Sequence, residues 1–150
     1  MSDAEVYQMV KDNRISILML VMMNVTALSK CLDFESACKT VVALHRAGVS
    51  ILAGTDANSV PGVPAKVSYG ISLYEELELL VRCGMSTTEA LRPATSVAAK
   101  YFGVCDCGFI QPGYRADLVL IGGNPVENIT ATKSIQTVWI AGQELKHSQA

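Results

Sequence analysis

Residues 49–57 read Val49-Ser50-Ile51-Leu52-Ala53-Gly54-Thr55-Asp56-Ala57, a short apolar run that ends on a carboxylate. Gly48, a typical helix-ending residue, precedes the run, and Pro, Gly and Asn residues follow it. This pattern predicts a buried parallel strand over residues 49–53. Asp56 is then expected at the carboxyl end of that strand, where the loops of α/β folds converge on a site. An aspartate there can equally serve the turn itself, and the strand alone leaves both roles open.

The preceding segment predicts a strand and a helix that complete a βαβ unit. Residues 15–21 form an apolar, strand-like run, and apolar residues recur at helical spacing between Asp33, a candidate N-cap, and Gly48. A strand, a helix and a second strand in this order imply a parallel sheet. The apolar segment 15–25 is shorter than the ~20 residues that a membrane span needs, so no membrane partner is expected.

Short helices are predicted after the strand. The loop 57–70 is rich in proline and glycine and is expected to shape a pocket beside Asp56. Ser72-Leu73-Tyr74-Glu75 matches a capping box for a helix over 74–82, whose glutamates Glu75, Glu76 and Glu78 are interpreted as caps and a solvated face. Ser86-Thr87-Thr88-Glu89 matches a second capping box. Pro93 limits that helix, and Thr95 can start another that stops at Gly103.

The pattern changes from α/β to β near residue 104. Runs over 108–110, 116–121 and 137–140 are short and β-like, and glycine and proline turns separate them. We therefore predict two units, 1–104 and 105–150, the second made of antiparallel strands. Within it, Asp117 is expected to be structural and Trp139 to fill the core.

Composition narrows the class of protein. The chain has 150 residues, half of them apolar, and a net charge of −2. This balance favours a globular protein with a large core, and it argues against nucleic-acid binding, which would need a basic face. A small neutral substrate or a protein partner fits better.

Cysteine usage predicts a reducing compartment. The five cysteines are odd in number and include no C-x-x-C pair, so they are interpreted as reduced, mostly buried thiols of a cytoplasmic protein. Cys105-Asp106-Cys107 could contribute to a metal site, but the chain supplies no further pair of ligands at usable spacing for structural zinc.

Four ordered blocks of this sequence resemble the C-terminal part of the amidohydrolase superfamily, in the branch similar to imidazolonepropionase and the Xaa-Pro dipeptidase-like enzymes. The blocks are residues 47–57, then Glu76-Leu77-Glu78-Leu79-Leu80-Val81, then Glu89-Ala90-Leu91 with Ala94-Thr95, and finally 108–119 followed by Asn124-Pro125. They extend over roughly residues 40–145. Because they occur in order, we regard the resemblance as specific for the superfamily and weaker for any one substrate.

The resemblance implies an α/β fold. The chain would supply the last two β/α units and following helices of a (β/α)8 TIM barrel, together with C-terminal strands of a small β-sandwich domain. It also implies a metal-dependent hydrolase that acts on carbon–nitrogen bonds in amides, cyclic amides or dipeptides, with a small-molecule amide or peptide as substrate. By motif position, Asp56 is the implied catalytic acid and metal ligand, which takes a proton from metal-bound water and gives it to the leaving group. The implied cofactor is a divalent metal, zinc first.

The chain also departs from the family pattern. The His-x-His pair, the bridging Lys or Glu and the later histidine ligands have no counterpart, and neither His45 nor His147 is at a predicted strand tip. Tyr74 stands where several members carry histidine. A barrel needs roughly 250 residues, so we expect a truncated chain that binds no metal tightly alone and either self-associates or needs a missing N-terminal segment. An inactive binding or assembly module, or an unrelated α/β domain, are the alternatives.

Overall fold

The computed structural model of the chain describes residues 17–19, 34–59 and 67–146. Its first part is a parallel pair of strands with helices around it. Strand β1 (Ile17–Met19) pairs in parallel with β2 (Ile51–Ala53), and helix α1 (Phe34–Arg46) lies between them in the chain. This arrangement confirms the predicted parallel βαβ unit. The other residues of the predicted first strand and the Asp33 cap lie outside the described residues.

Helices follow the second strand. Helix α2 (Ile71–Arg82) packs against β2, and α3 (Thr87–Leu91), a 3-10 turn (Arg92–Ala94) and α4 (Ser96–Tyr101) complete the segment. The second half contains an antiparallel sheet in the order β3 (Leu118–Ile121), β4 (Ile135–Ile140), β5 (Gln143–Glu144), with a 3-10 turn (Ile129–Lys133) before β4. The change from parallel to antiparallel pairing is the one the sequence predicted.

The core lies between the helices and β2, the strand that precedes Asp56. Ile51 and Leu52 of β2 are buried, and Leu80 of α2 is completely inaccessible to solvent. They are buried because the apolar positions of α1 and α2 face the strand. The core cluster consists of Val41, Ile51, Leu77, Leu80, Met85, Ala90 and Ile129.

Two local predictions at helix and strand ends are wrong. Helix α2 starts at Ile71 with Gly70 as its N-cap, and the Ser72 hydroxyl donates to the carbonyl of Ser68 at 2.6 Å, so the expected capping box at Ser72 and Glu75 does not form. The run 108–110 is not a strand, because Gly108 takes a left-handed φ of 83° while packed closely on Ala99 and Ser96. Only glycine accepts that conformation and that contact without strain.

The second capping box is confirmed. Ser86 accepts a hydrogen bond from the amide of Glu89, and the Glu89 carboxylate accepts in return from the amide and the hydroxyl of Ser86. Helix α3 then gives way to a 3-10 turn at Arg92–Ala94, as Pro93 requires.

The interpretation of the cysteines as reduced thiols is wrong for two of them. Cys38 of α1 and Cys83, at the end of α2, form a disulfide across 45 residues. Their pairing could not be deduced from spacing, because α1 and α2 come together only in the folded chain. Cys105 and Cys107 are free thiols, but the prediction of burial is wrong for them, because Cys105 is exposed and Cys107 is half-buried. A disulfide removes the support that reduced cysteines gave to a cytoplasmic location.

Membrane insertion can be addressed for the described helices. None of them combines the length and the apolar character that a bilayer crossing requires.

Candidate functional site

Asp56 lies where the sequence placed it, just beyond the carboxyl end of β2. The strand ends at Ala53, and Asp56 is exposed three residues later with a φ of 51°. Non-glycine residues seldom adopt this left-handed conformation, although aspartate tolerates it better than most residues. The backbone is therefore held in an unusual turn at the residue that the sequence singles out. Such a turn is typical of functional positions.

Hydrogen bonds on both sides hold that turn. The Thr55 hydroxyl accepts from the amide of Ala57 at 3.3 Å, and the Asn58 side-chain amide donates to the carbonyl of Asp56 at 3.0 Å. The backbone N–H of Asn58 donates to the carbonyl of Val67 at 3.2 Å, in an isolated antiparallel bridge. This bridge closes the base of the predicted loop 57–70, whose residues 60–66 lie outside the described residues.

Asn58 is a residue of the candidate site that sequence reasoning missed. Its side-chain oxygen is buried and has no hydrogen-bond partner within the part of the chain that the structure describes. A buried acceptor without a donor is unusual in folded proteins. The available signal was its position two residues after Asp56, from which an Asn amide can reach back to the turn.

The structure does not gather a metal site around Asp56 from the described residues. No group of three His, Cys, Asp or Glu side chains in ranges 17–19, 34–59 and 67–146 is arranged to hold a metal ion. A catalytic zinc typically takes three protein ligands and keeps one open position. Asp56 thus supplies at most one of the ligands implied by the resemblance, and the described residues do not fit a complete centre.

Glu76 contradicts the interpretation of α2 as having a solvated glutamate face. It is fully buried, and neither of its carboxylate oxygens has a hydrogen-bond partner among the described residues. Burial raises the pKa of Glu76 to about 8, because the charged form loses its hydration. The sequence contained a signal for this burial, since leucines stand three residues before Glu76 and three and four residues after it.

His45 lies near the opposite end of β2 from Asp56. Its Nε2 is 3.2 Å from a carboxylate oxygen of Glu89, and both residues line a cavity of about 220 Å³ with Ser50 and Arg92. Hydrogen bonds from the side chain and backbone of Ser86, together with His45, lower the pKa of Glu89 to about 2. His45 therefore contacts Glu89, a residue of the second capping box, on the amino-terminal side of β2. His147 lies outside the described residues.

Asp117 has the structural role that the sequence predicted. One of its carboxylate oxygens accepts from the Arg115 guanidinium at 2.6 and 2.8 Å, and the other accepts from the amide of Ala141 at 2.8 Å. The Arg115 contact lowers the pKa of Asp117. Asp117 thereby ties β3 to the turn after β4.

Two curated proteins are similar in sequence to parts of this chain. Ochratoxinase from Aspergillus niger is 32% identical over 118 residues, which are 75% of this chain and 22% of that protein. Imidazolonepropionase from Cereibacter sphaeroides is 35% identical over 86 residues, 57% of this chain and 20% of that protein. The chain thus spans about a fifth of the length of these curated relatives.

A solved structure shows the same fold. A Xaa-Pro dipeptidase with methionine bound in its active site matches with a TM-score of 0.78 at 22% identity, covering 97% of this chain and 38% of that one. The sequence profile of the amidohydrolase family matches residues 5–145. These matches exclude the alternative of an unrelated parallel α/β domain. They establish that this chain belongs to the amidohydrolase family.

Proposed function

We propose that the chain is the C-terminal part of a metal-dependent hydrolase that cleaves carbon–nitrogen bonds in amides, cyclic amides or dipeptides. One observation carries the proposal: Asp56 stands exposed beyond the carboxyl end of β2, in a left-handed turn held by Thr55 and Asn58. In α/β barrels, chemistry takes place at the ends of the strands on that side.

In this proposal, the Asp56 carboxylate moves a proton. It accepts one from the water that attacks the amide carbon and passes it to the departing nitrogen, which must be protonated to leave. A carboxylate in that role needs access to substrate, which the exposure of Asp56 provides. The hydrogen bonds of Thr55 and Asn58 hold the backbone of this turn, which fixes the place from which the Asp56 side chain projects.

The cofactor is part of the proposal as well. Amidohydrolase family enzymes are generally metal-dependent, and zinc is the ion we put first. Because the described residues offer Asp56 and no complete ligand set, we propose that the other ligands come from the remainder of a complete enzyme. The isolated chain should then hold no metal tightly.

Substrate choice is guided by the relatives. The solved relative is by name a dipeptidase for Xaa-Pro dipeptides, and one curated relative is an imidazolonepropionase. Dipeptides with a C-terminal proline and small cyclic amides are therefore the first substrates to try. The two names differ in chemistry, so the shared class is hydrolysis at a carbon–nitrogen bond.

The test compares the isolated chain with a complete enzyme that contains it. Both are assayed with Xaa-Pro dipeptides, N-acyl amino acids and cyclic amides, and their zinc, manganese and iron are measured by elemental analysis. We expect chelator-sensitive turnover from the complete enzyme, and neither turnover nor a full equivalent of metal from the isolated chain. Chelator-sensitive turnover by the isolated chain would overturn the fragment proposal. No turnover by the complete enzyme on any substrate would overturn the hydrolase proposal.

The second candidate function is an inactive binding or assembly module. It is favoured by apolar side chains that are exposed among the described residues, including Tyr69, Phe102 and Ile110, the last with 90% of its surface accessible. Exposed apolar surface of this kind typically marks an interface. Self-association, or binding to the rest of a complete amidohydrolase supplied as a separate polypeptide, would cover this surface. Light scattering of the isolated chain distinguishes a monomer from an assembly. A chain that stays monomeric, and that does not bind the rest of a complete amidohydrolase when this is added, would contradict this candidate.

A further inference from the structure

A second cavity, of about 450 Å³, opens between α1 and the end of α2. The Cys38–Cys83 disulfide forms part of its lining, beside Phe34, Glu35, Lys39, Arg46 and Arg82. We propose that this cavity binds a small anionic thiol, which attacks the disulfide and becomes attached to Cys83. The residues that line this cavity do not include those of the turn at Asp56, and the proposal does not rest on the function proposed there.

The charges around the cavity select for an anion. Three cationic side chains and one carboxylate line it, although the whole chain has a net charge of −2. Lys39 pairs with Glu35 at 3.0 Å, so its charge is offset locally. Arg46 and Arg82 then provide the positive field that a carboxylate-bearing thiol would meet. The Arg82 guanidinium lies 5.1 Å from the centre of the Phe34 ring, which positions it at the cavity.

The two cysteine residues differ in exposure. Cys38 is buried, with 9% of its surface accessible, whereas Cys83 follows the last residue of α2 and is half-buried. Attack on the Cys83 sulfur is therefore favoured, and Cys38 becomes the leaving group. Thiol–disulfide exchange proceeds by such an attack through a mixed disulfide.

Each step of the exchange forms one sulfur–sulfur bond and breaks another. The thiolate sulfur forms a bond to Cys83 Sγ, the Cys38–Cys83 bond breaks, and Cys38 leaves as a thiolate that takes a proton from water. A second thiol molecule can attack the outer sulfur of the adduct, which releases Cys83 as a thiol and the two small thiols as their own disulfide. Two small thiols are oxidised and one protein disulfide is reduced.

The disulfide closes the segment that contains the candidate site. Residues 38–83 include β2, Asp56 and all of α2. Opening the disulfide frees α1 from the end of α2 and lets the unfolded chain gain conformational freedom. We therefore expect thiol attack at this cavity to lower the thermal midpoint of the chain.

The experiment measures exchange on the oxidised full chain at low ionic strength. Reduced glutathione serves as the anionic thiol, 2-mercaptoethanol as the neutral one and cysteamine as the cationic one. Samples are quenched with acid, alkylated and analysed by peptide mass spectrometry. For each thiol, the exchange rate with the native chain is divided by the rate with Arg46→Gln. This ratio is independent of the intrinsic reactivity of the thiol. Arg92→Gln, which removes an arginine from a different cavity, is the matched control.

We expect Arg46→Gln to lower the rate of disulfide exchange with glutathione about fivefold. The rate with 2-mercaptoethanol should not change, and the rate with cysteamine should rise. The adduct should lie on Cys83, and Cys38→Ser should retain a stable adduct there when treated with glutathione disulfide. Circular dichroism checks that each variant is folded. An adduct on Cys38, equal effects on all three thiols, or oxidised chain without a 38–83 linked peptide would each overturn the proposal.

Discussion

The side-chain amide of Asn58 donates a hydrogen bond to the main-chain carbonyl of Asp56, with 3.0 Å between the nitrogen and the oxygen. This bond spans the turn in which Asp56 takes its left-handed φ of 51°. Asn58 also joins the strand end to Val67 through its own backbone amide. The backbone conformation at Asp56 thus depends on the side chain of a neighbouring residue that takes no part in the proposed proton transfer.

Replacing Asn58 by alanine should therefore loosen Asp56 without removing it. A hydrogen bond of this kind contributes about 0.5–1.5 kcal/mol, so we expect kcat of a complete enzyme to fall roughly three- to tenfold with a smaller change in KM. Steady-state kinetics on the preferred substrate gives both constants. Asn124→Ala is the matched control, because Asn124 accepts from the Val126 amide in a remote turn. Equal losses in the two variants would contradict a positioning role for Asn58.

Glu76→Gln should change the dependence of stability on pH. Burial raises the pKa of Glu76 to about 8 from an ordinary 4.5, so the folded chain holds this proton more tightly than the unfolded chain. The stabilisation is complete below about pH 4.5 and is lost as the pH rises through about 8. The full loss amounts to roughly 3–5 kcal/mol. Because a glutamine side chain does not ionise in this pH range, Glu76→Gln should lose much less stability as the pH rises.

Denaturant unfolding at intervals between pH 5 and pH 9 measures that effect. Glu127→Gln, at an exposed glutamate, serves as the control and should keep the slope of the native chain. If the native chain and Glu76→Gln lose stability in parallel above pH 6, the buried carboxyl is not the group responsible.

Ser86→Ala should destabilise α3 and raise the pH at which acid begins to reduce the stability of the chain. The Ser86 hydroxyl is one half of the capping box, whose other half is the Glu89 carboxylate, and losing such an N-cap hydroxyl typically costs about 1 kcal/mol. Its hydrogen bonds also do most to lower the pKa of Glu89 to about 2, so that the stability this carboxylate provides is present above about pH 4.5 and is lost as the pH falls through about 2. In the variant that loss should begin at a higher pH.

Thermal unfolding between pH 2 and pH 6 tests this, with Thr88→Ala as the control at an exposed position of the same short helix. A Ser86→Ala midpoint that follows the control at every pH would rule out the capping box as a source of stability.

Local patterns in the sequence were enough for much of the fold. The apolar run before Asp56 and the glycine at residue 48 predicted a parallel strand and a helix end, and both are present because they depend on near neighbours. The capping box at Ser86 was predicted for the same reason. The domain boundary near residue 104 stays a prediction.

Features that depend on packing were harder to predict. Helix α2 begins at Ile71 because Gly70 takes a left-handed φ, and Ser72 bonds to Ser68 instead of capping the helix. Burial of Glu76 opposes its usual preference for water, so residue type favoured a solvated face. The Cys38–Cys83 pair is formed by two helices whose approach is tertiary.

The location of Asp56 after β2 was predicted from the sequence, whereas its catalytic and metal-binding roles stay predictions. Asp56 could be found because a strand end marks it locally. Its support from Asn58 involves a side chain that reaches back to the preceding turn, and the bridge to Val67 spans a loop whose shape the sequence does not specify. Further ligands for a metal have no local pattern in this chain at all.

The central claim is that Asp56 moves the proton in carbon–nitrogen bond hydrolysis, and its most direct test is kcat of Asp56→Asn in a complete enzyme that contains this chain. Asparagine keeps the size of the side chain and removes the base, so the rate should fall about 10²- to 10⁴-fold while circular dichroism and the thermal midpoint stay close to those of the native enzyme. A folded Asp56→Asn enzyme whose kcat remains within a few fold of the native value would contradict the account.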